Sequence, residues 1–223
     1  MSKLILIPTP IGNLGDITQR AVESIKNVDM LLCEDTRRSL KLLNHLKIKK
    51  PLKSYHKFNE HSIVEKVINE IESGLIVGLI SDAGTPSISD PGYLIVKMCI
   101  DQNIEVECLP GPTALIPALA VSGLPTDRFV FEGFLPVKKG RKTRLDELSN
   151  EKRTMIFYES PYKLYRTLKD FYNCFGPERE ISISKELTKI FESTRRGKIK
   201  ELIDEYENKK LKGEFVIIVK GFK

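Results

Sequence analysis

Short apolar runs rich in β-branched residues recur through the first half of the chain. They read KLILIP (3–8), VDMLLCE (28–34), LIVGLIS (75–81) and IEVECL (104–109), and longer stretches with apolar residues at helical spacing separate them. Runs of that length bounded by Gly, Pro and Asp predict strands, and their alternation with helices predicts a mostly parallel sheet of the α/β class. The clearest helix covers 62–73, where Ile63, Val64, Val67, Ile68 and Ile71 form one apolar stripe. Ser62 and Glu65 have the spacing of a capping box, and Gly74 suits the position just past the last turn.

After PGPTALIPALAVSGLP (110–125) the pattern changes. RFVFEGFL, RTMIFYES, EISISKE, KIFESTRR and EFVIIVKGF follow one another, with clear helical segments at 160–175 and 198–210. This succession predicts a second α/β domain with a mixed sheet, and the expected division is 1–112 and 113–223. Ser160 and Pro161 supply N-cap and first-turn signals for the earlier of these helices. Its buried face would be Leu164, Leu168, Phe171 and Phe175, with Gly176 ending it. By alternation Phe129, Phe131 and Phe134 fall on core positions of a strand.

Composition narrows the class. The 223 residues are 41% hydrophobic, enough for one large or two modest cores. The formal charge of +6 favours an anionic partner, nucleic acid first among them. Cys33, Cys99, Cys108 and Cys174 lie far apart without metal-ligand spacing, so neither a zinc site nor a disulfide framework is indicated. His45, His56 and His61 lack partners in sequence that would make a metal site or a triad. No apolar run approaches the length of a membrane span or a secretory leader, which points to a cytoplasmic protein.

Candidate chemistry gathers where strands give way to loops, the place where open parallel sheets bind ligands. SDAGTPSISDPG (81–92) follows the third of the runs above. Asp82 could accept hydrogen bonds from a ligand, and Ala83 and Gly84 would let a ligand approach the backbone; a tight turn is the other reading. PTPIGNLGDIT (8–18) closes the first run with two prolines, two glycines and Asn13, but it is not GxGxxG, which weakens a dinucleotide reading. CEDTRRS (33–39) places Glu34, Asp35 and Arg37 at a similar strand end, as a functional cluster or as a solvated turn. VKKGRKTR (137–144) carries Lys138, Lys139, Arg141, Lys142 and Arg144 without an acid, which suits phosphate contacts or a solvated loop.

The blocks PIGNLGDIT, EDTRRSLKLL, SDAGTPSISDPG, PGPTA, SGLPTDRFVFEGFLP, FYESP, KELTK and GEFVIIVKG resemble, in order and nearly end to end, the bacterial 2′-O-ribose methyltransferases of small-subunit ribosomal RNA. These belong to the tetrapyrrole methylase superfamily. The resemblance implies two α/β domains, a homodimer, ribosomal RNA or the small ribosomal subunit as partner, and S-adenosylmethionine held in a cleft between the domains. It implies cofactor contacts at Pro10, Asp82, Gly84, Thr85, Pro86, Thr113 and Ala114, and at Phe157, Tyr158, Leu187, Gly213 and Glu214. Glu34, Asp35 and Arg37 become candidates for assisting transfer to a decoding-centre cytidine, and Asn13 for orienting it. Tyr162-Lys163 departs from the His-Arg more usual in the family after FYESP. A methylase of porphyrin-like rings on the same fold, and a non-catalytic RNA-binding module, stay open as alternatives.

Overall fold

The computed structural model describes residues 2–222, and they form two compact units that divide between Thr113 and Ala114. The first contains β1 (Lys3–Leu6), α1 (Gln19–Asn27), β2 (Met30–Cys33), α2 (Thr36–Leu46), β3 (Leu52–Ser54), α3 (Glu60–Glu72), β4 (Ile76–Leu79), α4 (Tyr93–Asp101) and β5 (Glu105–Cys108). Its strands are all parallel, in the order β3-β2-β4-β1-β5.

Strand alternation sorts the core into two layers. Leu4 and Leu6 pack with residues of α3 and α4, whereas Ile5 and Ile7 pack with residues of α1 and α2. The chain lays β2 and β3 down on one side of β1, then turns back to place β4 and β5. Because crossovers between parallel strands are right-handed, that reversal sends the two pairs of helices to opposite faces. The loops leaving the carboxyl ends of β1 and β4 therefore depart in different directions from neighbouring strands, which opens a crevice above them.

The second unit contains α5 (Leu115–Ala120), β6 (Phe129–Phe134), α6 (Arg141–Leu148), β7 (Thr154–Glu159), α7 (Leu164–Phe175), β8 (Glu180–Lys185), β9 (Ser193–Lys198), α8 (Ile199–Tyr206) and β10 (Phe215–Val219). The sheet runs β6-β7-β10-β8-β9, parallel between β6 and β7 and antiparallel elsewhere. Met155, Phe157, Ile181, Ile183, Phe215, Ile217 and Val219 face a core completed by α6, α7 and α8.

Several sequence expectations are corrected. The third strand, β3, is too short to register as an apolar run. Helix α3 begins two residues earlier than its stripe suggests; Ser62 lies inside it and donates to the Asn59 carbonyl, so no Ser62–Glu65 box forms. Gly74 does follow the helix, with φ +115°. Helix α7 starts at Leu164, because residues 161–163 form a separate turn closed by the Ser160 carbonyl rather than a cap made by its side chain. Leu164, Leu168, Phe171 and Phe175 are buried as expected. Helix α8 stops at Tyr206, with Glu207 extended and Asn208 left-handed.

The aromatic pattern of β6 also reads differently in three dimensions. A bulge between Phe131 and Gly133 shifts the register, so Phe134 is exposed while Gly133 and Leu135 turn inward; ahead of the bulge Val130 packs on the core, which leaves Phe129 exposed and Phe131 half-buried on the opposite face. The basic run 137–144 divides as well. Arg141 is only 5% exposed and bonds Asp170 through Nε at 2.7 Å, Thr167 Oγ1 at 2.7 Å and the Pro136 carbonyl. Arg144 forks onto both oxygens of Glu132 at 2.8 Å and reaches Glu147.

Candidate cofactor site

The loops after β1 and β4 are tied into one platform. Thr9 and Gly84 pair their backbones in both directions at 2.9 Å. The Thr9 hydroxyl donates to the Ser81 carbonyl, and the Ser81 hydroxyl donates back to the Gly84 carbonyl. Gly84 is left-handed at φ +86°, a conformation that only glycine adopts cheaply, and this turns the loop back toward β1. Thr85 Oγ1 donates to the Pro112 carbonyl and so joins the loop after β5, which continues into Thr113 and Ala114. Gly111 there lies against Pro8, whose ring would meet an added Cβ at 2.5 Å. Backbone is thereby brought close to backbone across three strand ends, leaving few side chains between the chain and any ligand.

Asp82 connects this platform to β2. Its Oδ1 accepts from the Asp35 N–H at 3.1 Å, and Oδ2 lies 3.2 Å from Arg38. Each carboxylate oxygen keeps accepting capacity beyond these bonds. A recess of about 190 Å³ opens here, lined in part by Thr9, Pro10, Leu14, Arg38, Ser81 and Asp82. Enclosing a drug-sized ligand takes roughly 300–1,000 Å³, so the recess suits one portion of a nucleoside-sized molecule. Its backbone and the Asp82 carboxylate, with the cations Arg38 and Lys41 beside them, offer partners for the amino, hydroxyl and carboxylate groups of such a molecule.

The polar candidates separate by geometry. Asp35 caps α2, accepting from the Arg37 N–H at 2.9 Å, and also holds the Arg37 guanidinium in a two-bonded fork. That arginine and the helix amides keep the Asp35 carboxyl far below the usual range. Arg37 is committed to Asp35 and is not among the residues lining the recess; Arg38, one position on, takes that place. The Glu34 carboxyl is pushed up, mainly by burial and then by the charge of Asp82, against the pull of Arg38. Asn13 is exposed and uses its Oδ1 to cap the short turn at Leu14–Asp16, which leaves its amide hydrogens for other partners.

Reasoning from sequence missed Arg38 and Asp90. Arg38 follows from Asp35 being the helix cap, since the third helical residue returns over the helix entrance. Asp90 is pushed up to about 6, first by burial, then by the charges of Glu34 and Asp82, with the neighbouring Ser81 hydroxyl opposing. No spacing in the sequence signals it, because Glu34, Asp82 and Asp90 come from two strand ends.

In the second unit, Phe157 lies wholly inside the core against Phe171, so it can offer a ligand only its backbone. Tyr158, on the opposite side of β7, packs edge-on against Phe131 and Phe134. Leu187 is buried in the turn after β8. Gly213 is left-handed at φ +92°, with the Glu186 side chain where a Cβ would fall. The Glu214 N–H donates to Glu186, and Lys189 bonds both Glu186 and Glu214, which ties this turn to the entrance of β10.

No group of three or more metal-ligating side chains assembles among the described residues, and none of their helices is long and apolar enough to cross a membrane.

A doubly wound parallel sheet, a separate mixed sheet and a glycine-bearing platform at the carboxyl ends of β1 and β4 define a two-unit α/β methylase fold. The chain belongs to the tetrapyrrole (corrin/porphyrin) methylases, whose family pattern matches residues 3–203. Relatives named ribosomal RNA small subunit methyltransferase I include one from Thermotoga maritima, 46% identical across 99% of both chains. Another, from Vibrio cholerae, is 48% identical over 99% of this chain and 77% of its own length. Among solved structures, diphthine synthase superposes with a TM-score of 0.76 at 11% identity, covering 99% of this chain and 90% of its own. A uroporphyrin-III C-methyltransferase from Thermus thermophilus, complexed with S-adenosylhomocysteine, gives 0.66 at 17%, covering 97% and 96%.

Proposed function

We propose that this chain transfers a methyl group from S-adenosylmethionine to the ribose 2′-hydroxyl of a cytidine in small-subunit ribosomal RNA. The observation that carries this reading is end-to-end identity of 46% with a relative named for methylation of that RNA. The ring-methylating structures share only the fold, at 15–20% identity, which favours RNA over a porphyrin-like acceptor. The cytidine and its oxygen come from the resemblance of the sequence blocks. A homodimer acting in the cytoplasm belongs to the same reading.

The cofactor supplies a methyl group already activated on a sulfonium, so the protein's tasks are alignment and proton removal. Pro10, Gly84, Thr85 and Pro86, with Thr113 and Ala114, offer backbone to it, and Asp82 and Arg38 hold the ends of β2 and β4 at a fixed separation. Tyr158, Leu187, Gly213, Glu214 and the Phe157 backbone are its proposed contacts in the second unit. Glu34, whose raised carboxyl makes it a better proton acceptor than Asp35, is the candidate base. Arg38, which lines the recess, is the candidate cation for a developing alkoxide, and Asn13 can donate its amide hydrogens to the substrate.

The test is incubation of the purified protein with methyl-labelled S-adenosylmethionine and small subunits from cells lacking the modification, followed by mapping of the label. A substrate with 2′-deoxycytidine at the mapped position should bind about as well and accept nothing. Label in the deoxy-substituted nucleotide would move the acceptor to the nucleobase and overturn the 2′-O assignment.

A further inference from the structure

The bulge in β6 has a chemical result. With Gly133 left-handed at φ +60° and the register shifted after Phe131, Phe134 is turned outward and is 60% exposed, while Leu135 takes the inward position. Its ring is held edge-on by Tyr158, with centroids 5.7 Å apart and planes at 62°. Beside it opens a recess of about 500 Å³ lined by Phe134, Leu135, Pro136, Thr143, Arg144 and Glu147. Lys138, Lys139 and Lys142 stand exposed on the same turn and helix start, and no ion pair neutralises them among the described residues. The two arginines of this run are occupied internally, so the lysines are its available charge.

A braced, exposed aromatic ring next to an open recess, with the cations Lys138 and Lys139 on the turn that borders it, is the combination that binds unpaired nucleotides: the ring offers a stacking face and the lysines offer phosphate contacts. A duplex keeps its base faces covered and would leave the ring unused. We infer that this face of the second unit docks a single-stranded segment of RNA, with a nucleobase against Phe134 and the backbone along Lys138 and Lys139, which lie between the recess-lining Pro136 and Gly140, whereas Lys142 points to the α7 side of its helix. The inference rests on the ribosomal RNA reading above and adds where the RNA lies. Glu147, which meets Arg144 at 2.8 Å through one oxygen, borders the recess with its second carboxylate oxygen left to accept from the edge of that base.

The experiment is fluorescence anisotropy with a labelled single-stranded oligoribonucleotide of about ten nucleotides, a length within the usual footprint of such surfaces. Phe134→Ala should weaken binding about tenfold. Phe134→Leu, which keeps apolar area and loses the ring face, should also weaken it severalfold. Replacing Lys138 and Lys139 with Ser should lower the slope of log affinity against log salt by about 1.4, at the roughly 0.7 per phosphate expected of single strands. Calorimetric affinity for S-adenosylmethionine should hold in the lysine variant. Unchanged RNA affinity in Phe134→Ala, or wild-type binding by Phe134→Leu, overturns the stacking role. A loss of cofactor affinity equal to the loss of RNA affinity, or a change of sedimentation with RNA binding intact, overturns it in favour of a cofactor contact or a second copy. A wild-type protein with no affinity for the oligoribonucleotide overturns it too. Methyl transfer by the wild type to small subunits is measured in parallel, so failure of this surface with transfer intact is distinct from failure of the methyltransferase reading.

Discussion

Asp82 Oδ1 accepts the backbone N–H of Asp35 at 3.1 Å, and this bond joins the carboxyl ends of β4 and β2. An amide that would otherwise face solvent at a helix entrance is satisfied from a different strand, and the partner oxygen of the same carboxylate meets Arg38. Asp82 is therefore a brace for the crevice as much as a wall of it.

Asp82→Ala should lower the stability of the first unit by about 1–2 kcal/mol, since it frees the Asp35 amide and Arg38 together. It should weaken S-adenosylmethionine binding by about tenfold or more. Asp82→Asn keeps an acceptor for Asp35 and should recover most of the stability without the full affinity. Thermal unfolding and calorimetry on the two variants separate the roles, and equal cofactor affinity in wild type and Asp82→Ala would remove this residue from the site.

Glu34 and Asp35 should respond in opposite ways. Glu34→Gln is expected to lower the transfer rate by on the order of 10²-fold or more and to leave the Kd for cofactor and RNA within about threefold. Asp35→Ala should cost about 1 kcal/mol of stability through loss of the helix cap and reduce the rate much less. Single-turnover rates with saturating substrates decide it; a larger rate loss in Asp35→Ala would exchange the assignments.

Asp90 makes stability depend on pH. Its carboxyl is raised to about 6 in the folded protein, so between the ordinary aspartate range and pH 6 the folded state binds more protons than the unfolded one. Stability associated with this group is present at low pH and is lost as pH rises through about 6. Asp90→Asn cannot ionise, so its thermal midpoint relative to wild type should rise between about pH 4 and pH 7. A constant difference across that window would show that Asp90 is not shifted.

Arg141 belongs to a buried chain in which it donates to Thr167, whose hydroxyl donates in turn to Glu159 at 2.6 Å. Removing the cation leaves Asp170 without its partner and Thr167 without a donor. Arg141→Met should cost about 3 kcal/mol or more, a fall in melting temperature on the order of 10 °C. The neighbouring Lys142→Met should stay within about 0.5 kcal/mol. Similar melting curves for the two variants would refute the structural role of Arg141.

Much of the architecture is legible in local pattern. Period-two and period-3.6 spacing report which faces are buried, and in β1, β2, β4 and β10 and in α3 and α7 that burial is strong enough to stand out from the flanking polar residues. Ends of elements are less legible because they depend on which side chain satisfies the terminal amides. Ser62 and Ser160 carry capping signals, yet Asn59 sits at the α3 entrance and the Ser160 carbonyl closes a turn. The β6 bulge is hidden because one extra residue reverses the inward and outward positions, and Phe134 then reads as core although it faces solvent.

The amino-acid sequence by itself determined the fold class, the loops at the strand ends and the family, since each follows from order and spacing along the chain. Only the tertiary structure decided which charges are free and which are committed. Arg37 is held by Asp35 while Arg38 faces the recess, Arg141 is buried while Lys138, Lys139 and Lys142 remain open, and Asp90, in the loop after β4, meets Glu34 from the end of β2. The reason is range: propensity and periodicity act over a few residues, whereas ion pairing and desolvation depend on distances in space between residues dozens of positions apart in the chain.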